Sequence, residues 1–385
     1  MKMKRIMTVA CYETRLVRRS WIFLIFTILG IIGIPCIQFL VGDISVAMEY
    51  SLNVGRSIWN LKALPSFIPY MNAYFFNGMQ VLMIVFFVSE IEKRTRITTM
   101  EPLWTRPATN GELMWGRVLG IGCMIIVLNV ISVLVTMSIH MITQAWAFDA
   151  GIYLFYFLTL TLPSLIFFLG LSMFVVHWIR FQGLAILLLL VFIAGMIGST
   201  GWLHGMLDPL ARTIPVIFSV EIGCVNLGLF LLQRLMFMCL GGALLFFSIF
   251  YEERLTGKSE KKNILRLLGI GLLVIAVFAG GSYEGYFIKG GKQRDSFRQA
   301  YIRSEDKAKI YVLEHEIYFK EKVKRMEASS RMKICNKTGK ELSSIILYLN
   351  PSLIISRLTC EGQETRYLRD EQVVEIDRTV QVDDT

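Results

Sequence analysis

Apolar residues in this chain come in long uninterrupted blocks, without the 3.6-residue stripe or two-residue alternation of half-buried elements. Seven blocks are about long enough to cross a bilayer, which takes roughly 20 mostly apolar residues. They cover about 21–41, 69–89, 118–140, 152–177, 184–203, 228–250 and 264–281. The pattern predicts an all-α polytopic membrane protein. Buried helices of a soluble core are the alternative, but seven such runs are hard to enclose in one core. The first block is too long for a signal-peptide core and lacks a clean small-x-small site after it, so it is expected to remain as an anchor.

The polar stretches between the blocks differ in charge. Lys2, Lys4, Arg5, Arg15, Arg18 and Arg19 precede the first block. Lys93, Arg94, Arg96, Arg106 and Arg117 follow the second, Arg180 follows the fourth, and Arg254, Lys258, Lys261, Lys262 and Arg266 follow the sixth. The intervening stretches hold Arg56, Lys62 and Arg212, so the split is seventeen against three. The positive-inside rule then predicts a cytoplasmic N-terminus and an extracytoplasmic C-terminal region in the cell (inner) membrane. The net charge of +10 is accounted for by topology and anionic lipid headgroups, with no nucleic-acid partner.

Residues 1–20 predict an amphipathic helix, with Met3, Ile6, Met7, Ala10 and Val17 on one side. Such a helix lies at the headgroup boundary; a solvated basic tail is the other reading. The six blocks within 21–250 form one bundle, and 251–281 adds a linker and a seventh span. From 282 to 385 the composition turns charged. A helical stretch around 294–307 leads into runs with β character at 310–319, 323–335, 342–349, 353–359 and 372–376. Asn336-Lys337-Thr338-Gly339 is a hairpin signal between two of them, and Asn350-Pro351 and Glu361-Gly362 mark further turns. A small extracytoplasmic β-domain is expected. Its Cys335 and Cys360 are candidates for a disulfide, although spacing alone does not fix the geometry a disulfide needs. Four scattered histidines have no ligand spacing, so no metal site is expected.

The segment between the second and third blocks is the most informative. Pro102 and Pro107 prevent one continuous helix. Thr109-Asn110-Gly111-Glu112 matches a capping box, in which the Thr and Glu side chains satisfy free N–H groups at a helix start. A short amphipathic piece, a proline break and a cleanly started helix suit a firm docking surface. Within it, Glu90, Arg94, Glu101, Arg106, Pro107 and Glu112 are the candidate contact residues.

These motifs resemble the permease subunits of type-2 ABC exporters. The likeness rests on Glu90-x-Glu92, Thr99-x-Glu101-x-Leu103, Thr105-Arg106-Pro107 and Glu112 through Gly116-Arg117. Upstream, Tyr12-Glu13-Thr14-Arg15-Leu16-Val17-Arg18-Arg19 is similar to that family's N-terminal interface helix. The resemblance covers about residues 5–255. It implies a six-span core that dimerises with itself or a second permease subunit and rests on cytoplasmic ABC ATPase subunits, touching them through the segment between spans two and three. ATP is then bound by the partner and no cofactor by this chain. Gly257-Lys258-Ser259 is no phosphate loop, because Glu252 stands where such a loop needs its first glycine.

Residues 332–353 resemble early strands of the N-terminal β-domain of aminopeptidase-N-type zinc peptidases, which some bacterial chains fuse to a type-2 permease. No peptidase site comes with the likeness: His315-Glu316 is followed by Phe319 where the second zinc-binding His would stand. No catalytic residue is expected. Within the blocks, Asn72, Asn77, Gln80 and Asn129 mark either a pathway or helix–helix hydrogen bonds worth about 0.6 kcal/mol each. Glu221 is a candidate partner for Arg234. Gly116/Gly120 and Gly201/Gly205 are small-residue contacts. A membrane anchor for an external binding or peptidase-like module stands as the alternative to transport. An ion-coupled carrier is a weaker one, since the blocks lack paired mid-membrane charges.

Overall fold

The computed structural model describes residues 3–39, 65–96, 109–143, 148–179, 181–198, 202–211, 218–219, 223–224, 226–251, 262–307, 310–322 and 325–382. They fall into two compact units, 1–285 and 286–385. The first unit is helical. Its elements are α1 (Met3–Arg18), α2 (Trp21–Phe39), α3 (Phe67–Arg96), α4 (Asn110–Thr143), α5 (Ala150–Trp178), α6 (Gln182–Gly198), α7 (Leu227–Tyr251) and α8 (Lys262–Glu305). Six of them, α2, α3, α4, α5, α7 and α8, are long and apolar enough to cross a membrane. The chain is therefore built as a polytopic membrane protein with a small C-terminal strand region.

Two of the seven expected spans come out differently. The fifth, expected over 184–203, is the 17-residue α6, at the lower limit for a crossing; a turn with left-handed backbone at Leu203 and His204 follows at Trp202–Gly205. The seventh, expected to end at 281, belongs to a helix of 44 residues. Gly280, Gly281, Gly285, Gly290 and Gly291 suggest a stop, yet all lie within α8. Each of the five costs about 1 kcal/mol relative to alanine in a helix interior.

The sequence starts these helices locally. Ser20 Oγ accepts from the Phe23 N–H at 3.1 Å, and Asp149 Oδ1 accepts from the Gly151 N–H at 2.7 Å; both are N-caps. Two spans carry a π-turn, Leu29–Gly33 in α2 and Phe157–Thr161 in α5. Each lies just before a proline, Pro35 and Pro163. A proline inside a helix has no N–H to give and its ring crowds the carbonyl four residues back, and a wider turn relieves both faults. The core runs through α2, α3, α4, α5, α6 and α7, with Met83, Ile84, Val85 and Ile121 fully enclosed. The closest approach joins α5 to α7. A Cβ on Gly170 would stand 2.2 Å from the Gly241 carbonyl oxygen, and one on Gly241 would stand 2.5 Å from the Ile166 carbonyl oxygen. Small residues let backbones meet in this way.

Two short strands, β1 (Phe218–Ser219) and β2 (Gly223–Cys224), pair antiparallel before α7. The second unit begins inside α8 and ends on short strands. β3 (Tyr311–Lys322) and β4 (Arg325–Cys335) form a long antiparallel ribbon with a bulge at Leu313. β5 (Ile345–Tyr348), β8 (Tyr367–Asp370) and β9 (Val373–Ile376) form a sheet in the order β5-β9-β8. β6 (Thr359–Cys360) and β7 (Gln363–Glu364) make a minimal hairpin turning through Glu361 and Gly362, at φ 52° and 82°, as a two-residue primed turn demands. The turn expected at Asn336–Gly339 forms, with Asn336 Oδ1 accepting from the Thr338 N–H at 3.1 Å and Gly339 at φ 71°. It does not close a hairpin. β4 pairs back with β3, and β5 pairs with the distant β9. Residues 353–358 form no strand, and β8, unassigned in the sequence reading, does. Ala300 on α8 packs with Ile346 and Val373, so the helix end supplies part of this unit's core.

Candidate functional site

α1 does not use its apolar side on lipid alone. Ile6, Ala10 and Val17 are buried, while Met3 and Met7 stay exposed at 72% and 53%. The buried residues press against the start of α4. A Cβ on Gly116 would stand 2.5 Å from Val9 Cβ, and one on Gly120 would stand 2.9 Å from both the Ala10 carbonyl oxygen and Glu13 Cβ. The Gly116/Gly120 pair thus seats an N-terminal helix, where the spacing alone suggested a contact between spans. Thr14 Oγ1 donates to the Ala10 carbonyl at 2.7 Å and lies 3.4 Å from that of Gly120.

Charges from three helices meet at this seat. Glu13 of α1 is 8% exposed. Burial pushes its carboxyl above the usual range, against the pull of the Arg117 and Arg94 guanidinium groups. Arg117, near the start of α4, is 5% exposed, and its Nη1 lies 4.0 Å from Glu92 Oε2 at the end of α3. Arg94 pairs with Glu90 one turn back. The capping box forms: the Glu112 N–H donates to Thr109 Oγ1 at 3.2 Å, and the Thr109 N–H donates to Glu112 Oε2 at 3.1 Å. Arg5 of α1 reaches the same carboxylate at 3.7 Å. Of the six candidate contact residues, Glu90 and Arg94 are half-buried at the end of α3. Glu112 is buried, its carboxylate spent on the α4 start and on Arg5. Glu101, Arg106 and Pro107 lie outside the described residues.

Sequence reasoning counted Arg117 for topology and read Glu13 only as part of a motif. A signal was present: at helical spacing Glu13 falls on the same side as Ile6 and Val17. A carboxylate in an apolar stripe needs a cation nearby, because an unpaired buried charge is costly.

The mid-span polar residues are also enclosed: Asn72 6%, Asn77 0%, Gln80 0% and Asn129 1% exposed. Asn72 Nδ2 donates to Gln38 Oε1 at 3.1 Å. Gln80 Nε2 donates to the Thr161 carbonyl at 3.3 Å and to Asn77 Oδ1 at 3.4 Å. Arg234, fully buried in α7, is held by backbone. Its Nη1 donates to the Pro209 carbonyl at 2.6 Å and its Nη2 to the Asp208 carbonyl at 2.8 Å and Gln233 Oε1 at 2.7 Å. Gln233 Nε2 donates to the Gly205 carbonyl at 2.6 Å. These two side chains pin the non-helical segment 202–211, where Leu203, His204 and Ala211 have positive φ. Glu221, the expected partner of Arg234, lies outside the described residues, as does Gly201.

The disulfide offered for Cys335 and Cys360 is not made, and both are free thiols. Cys335 ends β4 opposite Tyr311, whereas Cys360 sits in the β6–β7 hairpin. Among the described residues no group of three or more His, Cys, Asp or Glu is placed to hold a metal. Compared with models of known protein families and with curated proteins, the chain matches none.

Proposed function

We propose that this chain is the membrane-spanning subunit of an ABC exporter, with its N-terminus cytoplasmic and its C-terminal unit extracytoplasmic. A separate ATPase subunit binds and hydrolyses ATP. It pushes on the segment between α3 and α4, and a second permease subunit completes the pathway. The observation that carries the reading is the charged seat of α1: buried Glu13 and Arg117 and half-buried Glu92 and Arg94 bring together α1, the end of α3 and the start of α4. Force on that segment is thereby delivered to two spans and an interface helix at once. Rigid elements carrying a two-state motion around a pathway are how membrane carriers alternate access.

The test is purification in mild detergent, together with the product of any adjacent reading frame that has a full Gly-x4-Gly-Lys-Ser/Thr loop. Wild type is expected to retain such an ATPase, and Glu101→Lys combined with Arg106→Glu to lose it. Equal retention by both would remove those residues from the contact. The second reading, an anchor for an external module, draws on the compact strand unit 286–385. Full function after that unit is moved to an unrelated anchor would favour it.

A further inference from the structure

Asn72, Asn129, Ser132, Thr136, Tyr153 and Thr161 line a cavity among α3, α4 and α5. The space open to a water's centre is ≈ 10 Å³, about the threshold for holding one water molecule. None of the lining side chains carries a charge. Asn129 Oδ1 and Thr161 Oγ1, each on a residue 1% exposed, are buried without a hydrogen-bond partner. A few residues along, Asn77 Nδ2 and Gln80 Oε1 are in the same condition. One such atom costs about 1–3 kcal/mol, so a wall with two of them is poor as mere helix packing.

Among the described residues, two π-turns belong to this region. Thr161 and Phe157, the two ends of the α5 π-turn, line the cavity. Ser132, on the opposite wall, donates to the Gly30 carbonyl inside the α2 π-turn at 2.8 Å. Gln80 takes the Thr161 carbonyl in the other. Single π-turns inside α-helices are frequent at functional sites. Here each has a backbone carbonyl held by a side chain from another span.

We propose that this cavity is a binding subsite for a neutral amide- or hydroxyl-bearing group of the transported solute, admitted when the wall gives at the two π-turns. The orphaned lining atoms are an amide oxygen that accepts and a hydroxyl that can donate or accept, which suits an amide or hydroxyl. A charged group would be stripped of water with no countercharge in reach, at a cost far above what these contacts return. The proposal rests on the transport reading, but its test does not use the ATPase.

Two near-isosteric variants of the full chain, Thr161→Cys and Ser132→Cys, are made separately and reconstituted in liposomes. Each is treated with iodoacetamide or iodoacetate, which differ in charge and little in size, and labelling is read by mass spectrometry. Both reagents need the thiolate, so their ratio at one site cancels its reactivity. The iodoacetamide-to-iodoacetate ratio at either new thiol is expected to exceed that at exposed Cys11 by at least about tenfold, as a desolvated uncharged site requires. N-methylacetamide should slow the iodoacetamide reaction there several-fold and leave that at exposed Cys11 unchanged. Three results would overturn the proposal: no labelling of either new thiol by either reagent, a ratio equal to that at Cys11, or slowing by N-methylacetamide equal to that at Cys11. Loss of ATPase co-purification with unchanged labelling would instead count against the exporter reading alone.

Discussion

The helical unit and the C-terminal unit handle charge in opposite ways. In the first, Arg234 is fully enclosed and its fork is filled by two backbone carbonyls and a glutamine. Glu13 and Arg117 are nearly as deep. In the second, charges ride on the outside. Arg303 meets Asp370 at 2.7 Å with both side chains more than half exposed, and Lys307 meets Glu375 at 2.8 Å. Across the β3–β4 ribbon, Glu314 stands opposite Lys333, Glu316 opposite Arg331 and Lys320 opposite Glu327. The first arrangement fixes where a non-helical segment and an interface helix sit. The second adds solubility and only tenths of a kcal/mol per pair.

Breaking the helical unit should therefore cost far more. The largest effect is expected where no side chain exists. Gly170→Leu puts a Cβ 2.2 Å from the Gly241 carbonyl oxygen, so α5 and α7 must part. Destabilisation at or above the upper end of about 1–3 kcal/mol is expected, read as a drop in thermal unfolding temperature in detergent. Next comes Arg234→Leu, which removes the charged donors from the Asp208 and Pro209 carbonyls and leaves them to Gln233 Nε2 at 3.2 Å and Ser164 Oγ at 2.8 Å. A loss of about 2–3 kcal/mol, with faster proteolysis within 202–211, is expected. Arg234→Lys should recover little, because an ammonium does not reproduce a planar fork.

Glu13 gives a smaller effect with a definite sign. Its carboxyl is raised by burial, so the ionised form is disfavoured in the fold. Seating of α1 should tighten as pH falls through that raised value and loosen above it. Glu13→Gln should abolish the dependence, measured as the labelling rate of Ile6→Cys divided by that of exposed Cys11 at each pH. Glu375 has the opposite sign. The hydrogen bonds from Lys307 and Ser344 hold its carboxyl below the usual range. Its contribution is present above the unfolded-state value and is lost as pH falls through the lowered one, which amide exchange in β9 would report. The smallest effect belongs to Arg303→Ala. Loss of that exposed pair should move the unfolding midpoint by no more than about 0.5 kcal/mol allows. A shift as large as that of Arg234→Leu would erase the contrast between the units.

Several features were legible because they depend on neighbours in sequence. The Thr109–Glu112 capping box needs only its own four residues, and the Glu361-Gly362 turn only two. Prolines 35 and 163 carry the information for the two π-turns, although the spans containing them read as plain apolar blocks. Strand pairing was less legible. Asn336–Gly339 has the chemistry of a hairpin and makes its turn, but β5 finds β9 across more than twenty residues because that pairing buries Ile345, Val374 and Ile376 together. Cys335 and Cys360 are both free, and they belong to different sheets, a placement that their spacing in the sequence does not specify. Among the candidate contact residues, Glu112 was legible as a cap but not as a buried group, since its burial depends on α1 returning to cover it.

By itself the sequence determined that the chain is a bundle of membrane-length apolar helices followed by a short strand unit, because transfer free energy is summed along each helix and hydropathy is a local quantity. Tertiary structure alone decided which polar side chains serve which partner: Gly116 and Gly120 seating α1, Gln233 and Arg234 holding 202–211, Ser132 and Gln80 reaching the π-turns. In lipid a polar group must find its partner inside the protein, and which partner is within reach is settled only when helices far apart in the chain pack side by side.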